Sequence, residues 1–448
     1  MRFSERLKIQ LEMNPSRFLA LGFFLVILTG SILLTLPISS TSGTFTPFID
    51  AAFTATSAVC VTGLVTVNTA MHWTTFGHVV IITLIQLGGL GIMTWAILIA
   101  LLMKKRITLR DRLVIHEQMN TGSLQGMVKL IIYVLKSTFL IELIGALLLS
   151  FTFVPAYGLG KGIWYSVFHA ISSYCNAGFD ILGETSVAPY VGSVAVILPI
   201  SALIVLGGIG FNVYMDVTNK KSFRSLALHS KLALSMTGIL LAIGTLLFLL
   251  LEYHNPNSIK NEPFFTKLLA SFFQSVTTRT AGYFSVDQVN ITDASAIVSI
   301  ILMFIGGSPA GTAGGIKTTT LSLLLLTARS EIKGYEDVVA FNRRISTATI
   351  RKALSLIIIS LIWISIISLL LTMTEPFPYI NLLFETTSAF ATVGLTRGVT
   401  PGMSSFGKIL IMTTMYLGRT GPLTLAFALS RREHKKKYRE PKGDVLVG

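Results

Sequence analysis

The sequence predicts an all-α polytopic membrane protein. It consists of four tandem span–pore-helix–span repeats, giving eight transmembrane helices around a pseudo-fourfold pore axis. Three observations predict this fold. First, the 448 residues are 52% hydrophobic and only 13% charged, with a mean hydropathy of +0.70, whereas soluble domains carry about 25% charged residues. Second, apolar runs recur at 18–36, 79–103, 131–153, 194–215, 232–251, 354–373 and 409–429, and about 20 apolar residues cross a hydrocarbon core of roughly 30 Å. Third, one phrase occurs four times, each copy ending in glycine: FTATSAVCVTG to Gly63, FHAISSYCNAG to Gly178, FFQSVTTRTAG to Gly282 and FETTSAFATVG to Gly394. Such self-similarity marks a repeat architecture.

The first run is too long for a signal-peptide core and ends at Leu36-Pro37 without a small-x-small cleavage site, so it is expected to be a retained span. Each glycine-ending phrase is too short and too polar to cross. It suits a helix that dips in from outside and returns through a loop, and such a loop persists at membrane depth only if buried in protein or lining a wet cavity. The repeats are expected at 1–105, 106–220, 221–330 and 331–430, followed by a basic tail at 431–448.

The second span of each repeat carries its own marker: LGGLG at 87–91, LGGIG at 206–210, IGGSP at 305–309 and LGRTG at 417–421. In repeats one and two the expected role of these glycines is close helix packing. Repeat three departs from this. A short run at 296–305 stops at Gly306-Gly307-Ser308-Pro309-Ala310-Gly311-Thr312-Ala313-Gly314-Gly315, with Lys317 and three threonines following. Five glycines and a proline in ten residues cannot continue a stable helix. In repeat four, Arg419 stands where the other copies have Gly89, Gly208 and Gly307. A charge deep in a span is rare and functional by default; the competing reading is an ion pair with an acid.

The net charge is +15, and its placement orients the chain. Basic clusters surround Lys104-Lys105-Arg106, Lys220-Lys221, Arg343-Arg344 and Arg431-Arg432, while Asp50, Asp180, Glu184, Glu252, Glu262, Asp287, Asp293 and Glu375 fall on the other connections. By the positive-inside rule the basic segments and both termini face the cytoplasm of a cell-membrane protein. Each basic tract abuts a span and none is interleaved with aromatics, so nucleic acid is not an expected partner. Cys60 and Cys175 give neither a disulfide framework nor a metal spacing. The seven histidines show no ligand spacing within a span and no nucleophile–base pair, which argues against an enzyme. Glu142, inside a span, is the candidate for proton chemistry, and a packing hydrogen bond explains it equally well.

Four loops around one axis imply an ion-conducting protein, and the arrangement points to K⁺. A dehydrated K⁺ needs oxygen dipoles in place of water, which backbone carbonyls supply when successive residues alternate in handedness; glycine takes the left-handed state without a Cβ penalty. The selectivity-filter candidates are Val61-Thr62-Gly63, Asn176-Ala177-Gly178, Thr280-Ala281-Gly282 and Thr392-Val393-Gly394. With one glycine per loop and four different loops, fewer ion sites and looser selectivity are expected than in a symmetric four-chain channel. The C-terminal dipole ends of the preceding short helices favour a cation at the centre. The alternative is an alternating-access cation symporter coupled to Na⁺ or H⁺, suggested by the broken third-repeat span, although the repeats run parallel rather than inverted.

With these motifs together, the chain resembles the Trk/Ktr/HKT superfamily of K⁺ transporters, specifically its bacterial Ktr-type membrane subunit. The resemblance covers nearly the whole chain. It implies a homodimer with one pore per subunit, and K⁺ uptake that is often Na⁺-dependent. It also implies a cytosolic octameric ring of nucleotide-binding regulatory subunits, which would bind ATP or ADP in this chain's stead. By the same resemblance, the ten residues from Gly306 to Gly315 with Lys317 are the intramembrane gate, and Arg419 is the pore arginine. Gly63 argues against the Na⁺-selective members, which carry serine there.

Overall fold

The computed structural model describes residues 15–91, 94, 95, 98 and 127–421. The basic tracts at 104–112 and 431–437, the tail at 431–448 and the ends of the runs at 79–103 and 409–429 lie outside them.

The described chain is helical apart from one small hairpin. Repeat one contributes α1 (Pro15–Thr35), α2 (Phe48–Cys60) and α3 (Thr75–Leu90). Repeat two contributes α4 (Met127–Tyr157), α5 (Leu159–Tyr174), α6 (Val194–Ile209) and α7 (Phe211–Lys220). Repeat three contributes α8 (Leu228–Glu252), α9 (Phe264–Thr277), α10 (Asp293–Phe304) and α11 (Thr318–Ile332). After the hairpin β1 (Val339–Ala340) and β2 (Arg343–Arg344), repeat four contributes α12 (Thr347–Thr374), α13 (Tyr379–Ala391) and α14 (Ser405–Thr420).

Among the described residues, four helices are long and apolar enough to cross a membrane: Arg17–Thr35 within α1, Ile131–Tyr157 within α4, α8 and α12. Their outward faces are rich in exposed Leu, Ile and Phe, such as Phe151, Leu250 and Leu369, as expected of lipid-facing surface. Inside them the short helices α2, α5, α9 and α13 are almost wholly buried over their last two turns.

Three of the four second-span helices start alike; α6 of repeat two has no side-chain cap at Ser193. The hydroxyls of Thr74, Thr292 and Ser404 cap α3, α10 and α14 by accepting from the amides of Gly77, Ser295 and Gly407. In repeats three and four a buried carboxylate from the end of the first span braces this cap. Glu252 accepts from Thr292 N and Oγ1 at 2.9 Å each, and Glu375 accepts from Ser404 N at 3.1 Å.

In repeats one, two and four these helices stop alike, which corrects the reading of 79–103, 194–215 and 409–429 as unbroken spans. α3 ends before Gly91 (φ 84°), α6 before Gly210 (φ 95°) and α14 before Gly421 (φ 86°). Each is the last glycine of its marker. The left-handed backbone there ends the helix, and α7 leaves α6 at 94°. A left-handed glycine therefore ends the helix at the marker in repeats one, two and four; repeat three differs in having a long break, from Ile305 to Lys317.

Candidate functional site

The four short helices converge end-on, and each delivers a tripeptide at its C-terminus. The first residue of each tripeptide is left-handed: Val61 (φ 58°), Asn176 (φ 58°), Thr280 (φ 74°) and Thr392 (φ 53°). The middle residues Thr62, Ala177, Ala281 and Val393 are not, and the glycines again are, at φ 94°, 69°, 80° and 95° for Gly63, Gly178, Gly282 and Gly394. The sequence pointed to the glycines only. Left-handed valine and threonine are unfavourable by about 1–2 kcal/mol each, and such strain persists where the surroundings over-determine it, typically at functional sites. Alternating handedness turns successive carbonyls toward one side, the geometry of a cation cage.

The tripeptides close into a ring in chain order. A methyl group on Gly63 would lie 2.6 Å from the Ala177 carbonyl oxygen, one on Gly178 2.7 Å from that of Ala281, and one on Gly282 2.5 Å from that of Val393. One on Gly394 would strike the Thr62 carbonyl, returning to repeat one. Each glycine thus faces the middle carbonyl of the next repeat, with no room for a side chain. The ring is tied from behind. Ser57 and Ser388 accept from the amides of Gly63 and Gly394 at 3.0 and 3.1 Å. Tyr283 Oη donates to the Phe179 carbonyl at 3.1 Å, and the Asn176 amide meets Thr280 Oγ1 at 3.2 Å.

At the foot of this ring sit the marker glycines. The missing Cβ atoms of Gly88, Gly207 and Gly418 would coincide with the carbonyls of Val59, Tyr174 and Phe390, each two residues before its own tripeptide. The packing role expected for repeats one and two therefore extends to repeat four. Gly306 backs instead onto Gly314 of its own loop.

That loop is pinned between repeats. Ser308 N donates to Gly208 O at 2.8 Å, Phe211 N to Ala310 O at 2.8 Å, and Thr312 N to Gly207 O at 3.2 Å. Thr312 Oγ1 donates to Tyr174 O at 3.2 Å, and Ser308 Oγ pairs with Thr318 Oγ1 at 2.8 Å. On its other side a Cβ on Gly314 would meet Thr392. Gly307, Pro309, Gly311 and Gly315 complete the same strand of backbone. Lys317 Nζ holds Ala313 O at 2.6 Å and Gly314 O at 3.2 Å. Arg419 reaches across from repeat four, donating to Thr312 O of the loop and to Gly88 O and Gly89 O of repeat one, the last at 3.0 Å. No carboxylate forms an ion pair with Arg419 among the described residues, so the acid-partner reading gains no support. Among the described residues the guanidinium is held by carbonyl oxygens, beside the foot of the ring.

One participant escaped the sequence reading. Arg279 directly precedes Thr280, where the other copies have Cys60, Cys175 and Ala391. It is buried, and donates at 3.4 Å to Thr237 O, Thr237 Oγ1 and Gly306 O. Its signal was in plain view as the one charged residue in the last four positions of any copy of the phrase.

Helices long enough to span, a closed ring of inward loops and a cation-bearing loop at its foot define an integral membrane protein of the cation-pathway class. The chain belongs to the TrkH family, described as cation transport protein, which matches residues 4–438. It is 44% identical to the potassium/sodium uptake protein NtpJ of Enterococcus hirae over 98% of this chain and 99% of that protein. It is 42% identical to the Ktr system potassium uptake protein B of Bacillus subtilis, over 97% of each. The crystal structure of the potassium transporter TrkH from Vibrio parahaemolyticus superposes with a TM-score of 0.69 at 17% identity, covering 91% of this chain and 84% of that one; this likeness is one of fold.

Proposed function

We propose that this protein takes up K⁺ across the plasma membrane as the ion-translocating subunit of a Ktr-type system. The observation that carries the reading is the closed ring of four tripeptides with alternating handedness. It offers backbone carbonyls to a dehydrated cation from all sides. The names of the relatives at 44% and 42% identity, both potassium uptake proteins, support K⁺ as the cargo.

In this reading the chain has eight spans in four repeats, at 1–105, 106–220, 221–330 and 331–430, with both termini in the cytoplasm. Each second span is broken at its marker. The tripeptides select. The loop from Gly306 to Gly315, with Lys317 and Arg419, forms the gate: two cations standing on the cation's own path make a barrier that must be moved aside for conduction. A homodimer of this chain works with a cytosolic nucleotide-binding ring, and Na⁺ stimulates uptake.

The test is K⁺ uptake in cells lacking their own K⁺ systems, at limiting K⁺ and varied Na⁺, with and without a co-expressed cytosolic regulatory subunit. Growth rescue with K⁺-selective uptake is the expected result. Absence of uptake in both arms, with the protein present in the membrane, overturns the reading.

A further inference from the structure

Glu142 lies inside α4 and is 5% exposed. Among the described residues no cation pairs with it. Its partner is an amide. Gln86 Nε2 of α3 donates to both carboxyl oxygens, at 3.0 and 3.1 Å. The other end of that amide faces the ring: Gln86 Oε1 accepts from Cys175 Sγ at 3.3 Å. The Gln86 backbone carbonyl accepts from Trp95 Nε1 at 3.1 Å. Cys175 immediately precedes Asn176, the first residue of the second tripeptide. A continuous hydrogen-bonded chain therefore runs from the first span of repeat two, through the second span of repeat one, to the foot of the ring.

Among the described residues the glutamine link in this network has no counterpart in the other repeats; in repeat three Arg279 reaches Thr237 of the first span directly. Gln86 stands two residues before the first marker glycine, where repeats two, three and four have Val205, Phe304 and Tyr416. The two apolar residues offer no polar link, and the Tyr416 hydroxyl donates away from the ring, to Ala20 O at 2.6 Å. The thiol is also sterically fixed: a Cβ on Gly89 would lie 2.7 Å from Cys175 Sγ. An uncompensated carboxyl inside a span is expensive compared with an aliphatic residue, so packing alone does not account for it. An amide with both ends engaged in a buried network resists reorientation.

We propose that Glu142 and Gln86 are positioning residues that fix Cys175, and through it Asn176, so that the second loop contributes to discrimination between K⁺ and Na⁺. The proposal rests on the reading of the ring as a K⁺ filter. The experiment compares wild type with Glu142→Leu, Gln86→Leu and Glu142→Gln, each at matched membrane abundance, measuring the ratio of initial K⁺ to Na⁺ uptake. Glu142→Gln keeps an oxygen that can accept from Gln86. The two leucine variants should lower the ratio roughly threefold to tenfold, the scale of one or two buried hydrogen bonds, and Glu142→Gln should restore most of it.

A second readout does not depend on transport. In a Cys60→Ser background, labelling of Cys175 by a membrane-permeant maleimide should accelerate in both leucine variants and not in Glu142→Gln. Unchanged selectivity and labelling in the leucine variants overturn the proposal, as does a Glu142→Gln variant as impaired as Glu142→Leu. A wild type without K⁺ preference would instead overturn the filter reading, while the labelling result would still report on the brace.

Discussion

The ring of tripeptides and the layer of marker glycines at its foot are built from the same four repeats, yet they treat the repeat differently. In the ring, all four copies keep the same alternation of handedness and the same glycine-to-carbonyl contact with the next copy. At the foot, three copies keep one contact, and the third replaces it with a loop that hydrogen-bonds to repeat two and to Arg419 of repeat four. A cage around an ion needs equivalent oxygens on every side, so substitutions there are constrained in all copies together. A barrier needs only one obstruction, and a single repeat can supply it without disturbing the cage. In the proposed function, selection and gating are thus divided between two layers a few residues apart.

The largest expected effect tests the symmetric layer. Gly282→Ser places a side chain at φ 80° and within 2.5 Å of the Val393 carbonyl. The ring must open on that side, and K⁺ over Na⁺ discrimination should fall by at least about tenfold, as strain and a displaced carbonyl together exceed 1–3 kcal/mol. Paired K⁺ and Na⁺ uptake rates measure it. An unchanged ratio in a well-expressed variant would remove the tripeptides from selection altogether.

The asymmetric layer should answer differently. Arg419→Ala removes the bonds to Thr312, Gly88 and Gly89 together with the positive charge, and deletion of 310–313 removes the centre of the loop. Either change should raise K⁺ flux without the proposed cytosolic partner by roughly tenfold, the expected scale when a charge leaves a pore, with the K⁺/Na⁺ ratio retained. Parental, partner-dependent flux in both variants would place the barrier elsewhere. Ser308→Ala is a milder version. It removes the 2.8 Å bond to Thr318, which is worth about 1 kcal/mol, so unassisted flux should rise only two- to fivefold.

Most of this two-layer layout could be read in the sequence, because it depends on features that a one-dimensional pattern preserves. The four tripeptides, the ten-residue loop, Lys317 and Arg419 all stand out by composition against an apolar background. Three things did not. The left-handed Val61, Thr280 and Thr392 were hidden because β-branched residues carry no mark of a conformation that tertiary packing imposes on them. The helix ends at Gly91 and Gly210 were hidden because the residues on either side are largely apolar, so hydropathy runs on through a bend of 94° at Gly210. The link from Glu142 to Cys175 passes through Gln86, 56 residues from one and 89 from the other; only folding brings these three together.

The smallest effect is a control on the whole comparison. Lys408 of α14 pairs with Asp50 in the first turn of α2 at 2.8 Å, with both side chains about 15% exposed. This pair ties repeat four to repeat one at the outer end of the short helix, beyond both layers. A partly sheltered ion pair of this kind is worth about 1 kcal/mol, and Asp50 also sits favourably at a helix N-terminus, an interaction that survives loss of its partner. Lys408→Met should therefore lower the thermal midpoint of the detergent-solubilised protein by a few degrees, leaving both the K⁺/Na⁺ ratio and unassisted flux at parental values. If it shifted selectivity, the ring would be responding to the outer ends of its supporting helices, and the symmetric layer would extend further than the tripeptides. If it raised flux, the gate would extend to the outer face, and the assignment of the barrier to the foot of the ring would fall.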